Sequence, residues 1–292
     1  MVLIPTGLAP WTLDLFVLVN LVAVGTTYLW AAGRVTRMAR AVDRVQPGRR
    51  RWPLGRTLAF LTGSCLVAIT ATGPLDAWAH QLFWPHMLGH LIIMMVAAPL
   101  IVLGSPVRLT FHNLPPHGRR VLVRVLRSPT MLLVTRPWFG WLLFAGVLIG
   151  SHLPPVMSWV LTDHDAMSMI ERPVYLIAAL IFYYPLIGDD LIARRPAASV
   201  RLVSLGLMMI PETVLGMVIH LSPVVLYRPY ADAAASLGVS ALTDQHFAGA
   251  LMWALAMVLD GLWMMLAAVE WWRDQVRLTA RLERAEQRTV SA

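Results

Sequence analysis

The sequence predicts an all-α integral membrane protein of seven transmembrane helices, with its amino terminus outside and its carboxy terminus in the cytoplasm. Apolar residues make up 58% of the 292 residues and charged residues only 14%, with a mean hydropathy of +0.64. Soluble domains carry roughly 25% charged residues. Because so few polar groups are available to cover a surface in water, we expect the chain to be buried in a bilayer.

Seven apolar stretches approach the ~20 residues that a transmembrane helix needs. The fourth stretch is short and the seventh is long. The first is not expected to be a cleavable signal peptide, since no basic residue precedes it and arginines follow it directly. The predicted spans lie near 10–33, 57–74, 86–104, 137–152, 170–187, 200–221 and 244–269.

The distribution of basic residues predicts the orientation. Of the 24 basic residues, 22 lie on one side of the predicted spans, and only Arg172 and Arg228 lie on the other. By the positive-inside rule the arginine-rich side is cytoplasmic. The sequence therefore predicts a single seven-helix domain over 1–292 in the plasma membrane, with basic cytoplasmic loops at 34–56 and 104–136 and a charged cytoplasmic tail at 270–292.

The composition excludes several classes of function. The chain has no lysine, so a retinal or pyridoxal Schiff base and a P-loop lysine are excluded. A single cysteine, Cys65, excludes an internal disulfide and a CxxC site. The basic loops contain few aromatic residues, and topology accounts for them without nucleic acid. Within one of them, the stretch from Arg119 to Arg127 fits a short amphipathic helix on the inner membrane surface.

No catalytic motif is found. The sequence contains no G-x-S-x-G, no H-E-x-x-H and no phosphate-binding glycine loop. We therefore expect the protein not to be an enzyme.

The histidines are distributed asymmetrically. His112 and His117 fall in a cytoplasmic loop, whereas the other seven fall at or near the outer ends of the spans. Helix bundles build metal sites from side chains on facing helices. His86 and His90 are spaced i, i+4, so their imidazoles project from one helix face. The seven outer histidines are His80, His86, His90, His152, His164, His220 and His246.

Acidic and thioether side chains accompany these histidines. Glu212 lies about 12 Å below His220 on the sixth span, and Asp260 lies deep in the seventh. Carboxylates at such depth are costly unless they are paired or hydrated. Asp244 has the position of a cap for the seventh helix, and Glu171 opens the fifth. Several methionines lie near the outer histidines, and thioether with imidazole suits copper, especially Cu(I). They are Met87, Met157, Met167 and Met169, with Met94, Met95 and Met217 slightly deeper.

Several short motifs follow one another between about residues 80 and 260. They are His86-Met87-Leu88-Gly89-His90, Ala97-Ala98-Pro99-Leu100, Leu103-Gly104-Ser105-Pro106, Ser151-His152-Leu153-Pro154, Phe182-Tyr183-Tyr184-Pro185-Leu186-Ile187-Gly188, Leu226-Tyr227 with Tyr230, and Asp244-Gln245 with Ala248-Gly249 and Met252-Trp253. Each motif is weak when taken alone. Together and in this order, they resemble a known family, the seven-span CtaG-type cytochrome c oxidase assembly factors.

The resemblance implies a role in maturing haem-copper oxidases, with copper handling or delivery as its chemistry. It also implies that His86, His90 and His152 belong to the site, with Asp244 and Gln245 nearby. One departure concerns the fifth span, where the family tends to have a Glu-His pair and this chain has Glu171-Arg172. An arginine repels a cation, so we expect either a site without the fifth span or an Arg172 that turns away and pairs with Glu171.

We therefore predict an assembly factor that binds Cu(I) arriving from the outer compartment. It would pass the ion to cytochrome c oxidase subunits in the bilayer, and a periplasmic or extracellular copper chaperone is a candidate donor. The predicted ligands are His86, His90, His152 and His220. Glu212 is the candidate for proton balance when the ion leaves. Supporting residues are His80, His164, His246, Met87, Glu171, Glu212 and Asp244.

Three competing functions are also compatible with the sequence. A copper transporter would need a polar route through the membrane, for which Glu212 and Asp260 are the only candidates. A haem-binding protein would need axial histidines on facing helices. A metal-free scaffold would hold oxidase subunits together, with histidines that only satisfy hydrogen bonds.

Overall fold

The computed structural model describes residues 14–43, 51–163 and 166–290, and these residues form helices joined by short connections. Within the described residues, six helical stretches are long and apolar enough to cross a membrane, and a bent helix pair raises the number to seven. This confirms the predicted all-α membrane fold. The helices are α1 (Leu15–Asp43), α2 (Leu54–Ala71), α3 (Pro74–Ala79), α4 (Phe83–Leu91), α5 (Ala98–Leu103), α6 (Pro106–Asn113), α7 (Pro116–Leu126), α8 (Pro129–Val134), α9 (Pro137–Ser151), α10 (Pro154–Thr162), α11 (Arg172–Tyr183), α12 (Ala198–Leu221), α13 (Arg228–Ser236) and α14 (Ala241–Val290), with π-helical segments at Ile92–Ala97 and Ala166–Glu171.

Proline begins many of the shorter helices. Its fixed φ suits the first helical turn, where its missing N–H would have no intrahelical partner. The short helices α6, α7 and α8 all begin this way, so the stretch 104–136, expected to be a loop, is instead helical. The helix α7 contains the arginine-rich amphipathic stretch that the sequence predicted, and none of its side chains is buried.

The fourth span is bent. α9 ends at Ser151, and α10 leaves it at an angle of 71° after a short break. Pro154 and Pro155 follow this break, and a proline cannot donate the main-chain hydrogen bonds that would continue α9. The bend places His152 between the two helices, where its side chain is buried.

The first π-helical segment lies within the third span, just before Pro99. A helix containing Pro99 lacks the hydrogen bond to the carbonyl of Met95, four residues earlier. Trp263 of α14 donates its indole N–H to that carbonyl oxygen at 2.7 Å. The freed acceptor is thus satisfied by another helix, as proline in membrane helices requires.

The core lies among α4, α9, α11, α12 and α14, while α1 and α2 pack at one side. α12 and α14 cross at close range. A Cβ placed on Gly249 would lie 2.5 Å from the backbone nitrogen of His220, and one on Gly216 would lie 3.0 Å from that of Trp253. Only glycine allows the two backbones to approach so closely.

The two ends of the bundle differ in their polar contacts. At one end, here called the arginine end, Arg56 donates to Asp189 at 2.7 Å and Arg201 donates to Glu270 at 2.7 Å. Asp190 accepts hydrogen bonds from the first N–H groups of α6. The opposite end, the histidine end, contains His86, His152 and His246.

Candidate metal centre

Asp244 positions the helix that carries His86 and His90. Its carboxylate accepts hydrogen bonds from the backbone N–H groups of Phe83 at 2.7 Å and Trp84 at 3.2 Å. These are N–H groups in the first turn of α4, which lack intrahelical partners. Asp244 of α14 therefore caps α4, a neighbouring helix that is distant in sequence. The expectation that it caps its own helix was wrong, because α14 already begins at Ala241.

His86, His90 and Glu171 converge in the interior. The Glu171 Oε1 atom lies 3.5 Å from His86 Nε2 and 3.4 Å from His90 Nε2. One ligand atom from each of the three residues lies within 4.8 Å of the others. The three residues are 3%, 5% and 5% exposed, so the cluster is shielded from solvent by protein. It has the residue types and the spacing of a metal site with two imidazoles and one carboxylate.

Several polar atoms of this cluster have no hydrogen-bond partner among the described residues. They include His86 Nε2, His90 Nδ1 and both carboxylate oxygens of Glu171. An unpaired buried carboxylate is costly at membrane depth. A cation bound between the imidazoles and the carboxylate would satisfy His86 Nε2 and Glu171, so the donor set fits a metal ion.

Arg172 lines the same small cavity as His86, His90 and Glu171, but the partner of its guanidinium is not Glu171. The guanidinium donates to the buried carboxylate of Asp76 in α3, and that carboxylate also lies 3.8 Å from His80 Nε2. The expectation of a Glu171–Arg172 pair was therefore wrong, because Glu171 faces the two imidazoles. Since Asp76 balances Arg172, the carboxylate of Glu171 supplies a negative charge next to the imidazoles.

His152 and Met87 form a second donor pair beside the first cluster. His152 Nδ1 lies 2.7 Å from the Leu148 carbonyl oxygen, which can only accept, so Nδ1 carries the hydrogen. In the neutral imidazole Nε2 then has a free lone pair, and it lies 3.4 Å from Met87 Sδ. A backbone partner at the second nitrogen also orients histidines that bind metals.

Aromatic side chains fix the two donor groups against each other. The rings of His90 and His152 have centroids 6.1 Å apart, and the Tyr175 ring stacks on His90 at 4.1 Å. The Tyr175 hydroxyl is hydrogen-bonded to Ser151. Five residues therefore belong to one buried cluster, here called the histidine cluster: His86, His90, His152, Met87 and Glu171.

Two tyrosines hold the surrounding loops. The Tyr227 hydroxyl donates to the His152 carbonyl at 3.0 Å, and the Tyr230 hydroxyl donates to the Ala79 carbonyl at 2.8 Å. Burial raises the pKa of Tyr227 to about 12 and that of Tyr230 well above its usual value. Both hydroxyls therefore stay protonated and can donate at physiological pH.

His220 lies elsewhere, and this corrects the predicted four-histidine site. Its Nδ1 lies 2.7 Å from the His246 carbonyl oxygen, and His246 Nε2 lies 2.9 Å from the Ser222 carbonyl oxygen. The ring centroids of the two histidines are 5.7 Å apart. The cause is the close crossing of α12 and α14, which pairs His220 with His246 rather than with α4.

Three of the remaining supporting residues that the sequence predicted lie outside the histidine cluster. His80 faces Asp76, and both carboxylate oxygens of Asp244 are used as a helix cap. Glu212 lines a small cavity below His90. His164 lies outside the described residues.

Asp76 and Tyr175 were not predicted from the sequence. Asp76 lies in the connection between two spans, four residues before His80, where a carboxylate resembles an ordinary surface group. Tyr175 lies in an apolar run of the fifth span. The only signal was positional: Tyr175 is i+4 from Glu171 and so shares its helix face.

Comparison with known proteins identifies the family. The family described as cytochrome c oxidase caa3 assembly factor (Caa3_CtaG) matches residues 26–274. Uncharacterized proteins of Mycobacterium bovis and Mycobacterium tuberculosis are each 26% identical over 87% of this chain and 40% of their own length. One of Mycobacterium leprae is 24% identical over 94% of this chain and 41% of its own.

The chain thus spans about two fifths of the length of these curated relatives. No solved structure matches it. The family match covers most of the residues that form the bundle, including the histidine cluster. This chain belongs to the cytochrome c oxidase caa3 assembly factor family.

Proposed function

We propose that this protein binds copper at the histidine cluster during assembly of a cytochrome c oxidase. The observation that carries the proposal is the convergence of His86, His90 and Glu171, whose ligand atoms lie within 4.8 Å of one another. Four of their buried polar atoms lack hydrogen-bond partners among the described residues. A bound cation supplies what these atoms lack.

The choice of copper rests on the neighbouring donors. Imidazole alone suits zinc, copper, iron and nickel, whereas thioether ligands select Cu(I). Met87 Sδ and His152 Nε2 face each other at 3.4 Å beside His90. Two acceptor atoms without a hydrogen between them are a pair that a soft cation can bind.

The proposed path of the ion follows from the distribution of arginine. The arginine-rich side is cytoplasmic by the positive-inside rule, so the histidine cluster faces the outer half of the plasma membrane. Copper would arrive from the outer compartment, with a periplasmic or extracellular chaperone as the candidate donor. It would leave to an oxidase subunit within the bilayer.

The first experiment is the metal content of detergent-purified protein after anaerobic Cu(I) loading and washing. Wild type is expected to retain copper, whereas His86→Ala/His90→Ala and Glu171→Gln are expected to lose the copper bound at the histidine cluster. His220→Ala/His246→Ala is the matched control, because these histidines lie at the same end but bind backbone carbonyls. Equal copper in wild type and the Glu171→Gln variant would refute the site.

A second readout connects binding to assembly. Cells without the protein are complemented with wild type or the same variants, and the copper content and activity of the membrane oxidase are measured. We expect the variants that lose copper to fail and the His220→Ala/His246→Ala control to restore the oxidase. Restoration by every variant would favour the metal-free scaffold.

Transport of copper and binding of haem are each tested by a separate measurement. Uptake of labelled copper into proteoliposomes would favour a transporter. A Soret band in the purified protein would favour haem. Haem is disfavoured because His86 and His90 share one helix face with ring centroids 4.2 Å apart. The cavity beside them holds about 10 Å³, far too little for a porphyrin.

A further inference from the structure

A small cavity lies below His90, on the side away from Glu171. Its free volume is about 10 Å³, room for about one water molecule or one small ion. Four of the side chains that line it are methionines, and Glu212 is the only carboxylate among them. The lining residues are Met87, His90, Leu91, Met94, Met95, Phe144, Leu148, Glu212 and Met252.

The π-helical segment Ile92–Ala97 explains why consecutive methionines both reach this cavity. In an α-helix, neighbouring residues point about 100° apart, so one of two adjacent side chains usually faces outward. Here Met94 is 3% exposed and Met95 is 1% exposed. π-bulges of this kind occur frequently at functional sites. The wider turn thus brings two thioethers inward directly below His90.

Three polar side chains from three helices meet at the Glu212 side of the cavity. Asp260 of α14 interacts with both Glu212 of α12 and Tyr183 of α11. Glu212 is 3% exposed, and Asp260 and Tyr183 are 0% exposed. Four of their atoms lack a well-formed hydrogen bond among the described residues: Glu212 Oε2, both carboxylate oxygens of Asp260, and the Tyr183 hydroxyl.

We propose that this methionine-lined cavity with Glu212 and Asp260, here called the deep site, is a second binding site for Cu(I). Thioethers are soft ligands that favour Cu(I), and two buried carboxylates supply the negative charge that a cation needs at membrane depth. A purely structural cavity would not require either carboxylate. The inference rests on the proposed function, because copper is taken as the ion that the protein handles.

His90 connects the two sites. It contacts Glu171 on one side and lines the methionine cavity on the other. An ion could therefore exchange ligands around His90, from the imidazoles and Glu171 to the thioethers and Glu212, without entering lipid. The exchange changes only the ligands, and copper remains Cu(I) throughout.

The test compares two sets of variants after anaerobic Cu(I) loading. His86→Ala/Glu171→Gln disables the upper site and leaves every residue that lines the deep site. Met94→Leu/Met95→Leu/Met252→Leu removes thioethers at nearly constant volume, which cores tolerate well. Met257→Leu/Met265→Leu is the control, since these methionines are 43% and 56% exposed on the outside of the bundle. Copper per chain and sulfur scattering in X-ray absorption are measured.

We expect each of the two site variants to lose one copper ion per chain, and the control to lose none. The copper kept by His86→Ala/Glu171→Gln should show sulfur ligands, and adding Glu212→Gln should remove it. Loss of all copper in His86→Ala/Glu171→Gln would overturn the deep site while leaving the proposed function intact. Full copper in His86→Ala/Glu171→Gln, with loss in the methionine variant, would refute the upper site instead.

One outcome separates cation binding from proton sharing. Two adjacent buried carboxylates can also be held by a single shared proton. In that case Glu212→Gln would retain as much copper as wild type, and the deep site would be refuted. Size-exclusion profiles that match wild type show that a variant's copper loss does not come from unfolding.

Discussion

Replacing Asp244 tests whether a distant cap sets the geometry of the histidine cluster. Asp244→Ala removes the carboxylate that accepts from Phe83 N at 2.7 Å and Trp84 N at 3.2 Å, and the residue is 0% exposed. A hydrogen bond to a charged group contributes about 1.5–3 kcal/mol. Counting the short bond fully and the longer one at about half gives a loss of about 3 kcal/mol in the free energy of unfolding, within the range for such bonds.

This loss predicts two measurable effects. For a chain of 292 residues, about 3 kcal/mol lowers Tm by about 5 °C, at an unfolding entropy of about 2.1 cal/mol/K per residue. Because α4 also carries His86 and His90, its first turn is expected to shift. Copper affinity should then fall about 10- to 100-fold, as for other residues that orient ligands without touching the metal. Thermal melts in detergent and a competition titration with a Cu(I) chelator measure the two effects.

Two variants sharpen the interpretation. Asp244→Asn keeps one acceptor oxygen, so its effects should be about half as large in free energy. Asp232→Ala removes an exposed carboxylate from the neighbouring helix α13 and should change neither quantity. A variant Asp244→Ala with a lower Tm but wild-type copper affinity would refute the reasoning, because the cap would then stabilise the fold without positioning the ligands.

Three further substitutions test contacts that hold the helices of the bundle in place. Gly249→Ala should destabilise the protein by about 1–3 kcal/mol through overpacking, since its Cβ would lie 2.5 Å from a backbone nitrogen of α12; Gly261→Ala, which has open space, should leave Tm unchanged in the same melts. Trp263→Phe leaves a buried carbonyl without its donor and should cost about 1–3 kcal/mol, so an unchanged Tm would contradict the role assigned to the indole. Asp190→Ala removes the cap of α6 and should cost about 1 kcal/mol, seen as faster tryptic cleavage within α6 and contradicted by an unchanged cleavage rate.

The spans were predictable because each depends on local composition. Hydropathy alone located the candidate membrane-spanning helices that the structure shows, and the arginine pattern divided the loops into two groups. The predicted ends of the spans were wrong where a helix continues beyond its apolar stretch. α1 runs on to Asp43, and the stretch 104–136 folds into three short helices, because arginine is compatible with a helix and proline can begin one.

The histidine cluster was only partly predictable. The spacing of His86 and His90 required a shared face whatever the tertiary structure. Whether His152 or His220 would join them depended on the order of helices around the bundle, which one-dimensional periodicity does not contain. Glycines at the α12–α14 crossing draw His220 toward His246, while Tyr227 holds His152 next to α4.

The π-helical segment Ile92–Ala97 makes the deep site depend on the number of residues in the third span as well as on their identity. A π turn accommodates one residue more than an α turn. Deleting one residue of this segment other than Met94 or Met95 would restore an α-helix with every proposed ligand still present. Because the π turn already absorbs the extra residue, the halves before and after it would keep nearly the same rotation, and His86 and His90 would still face Glu171. The two adjacent methionines would no longer both face the cavity, so the deletion should impair the deep site and spare the histidine cluster.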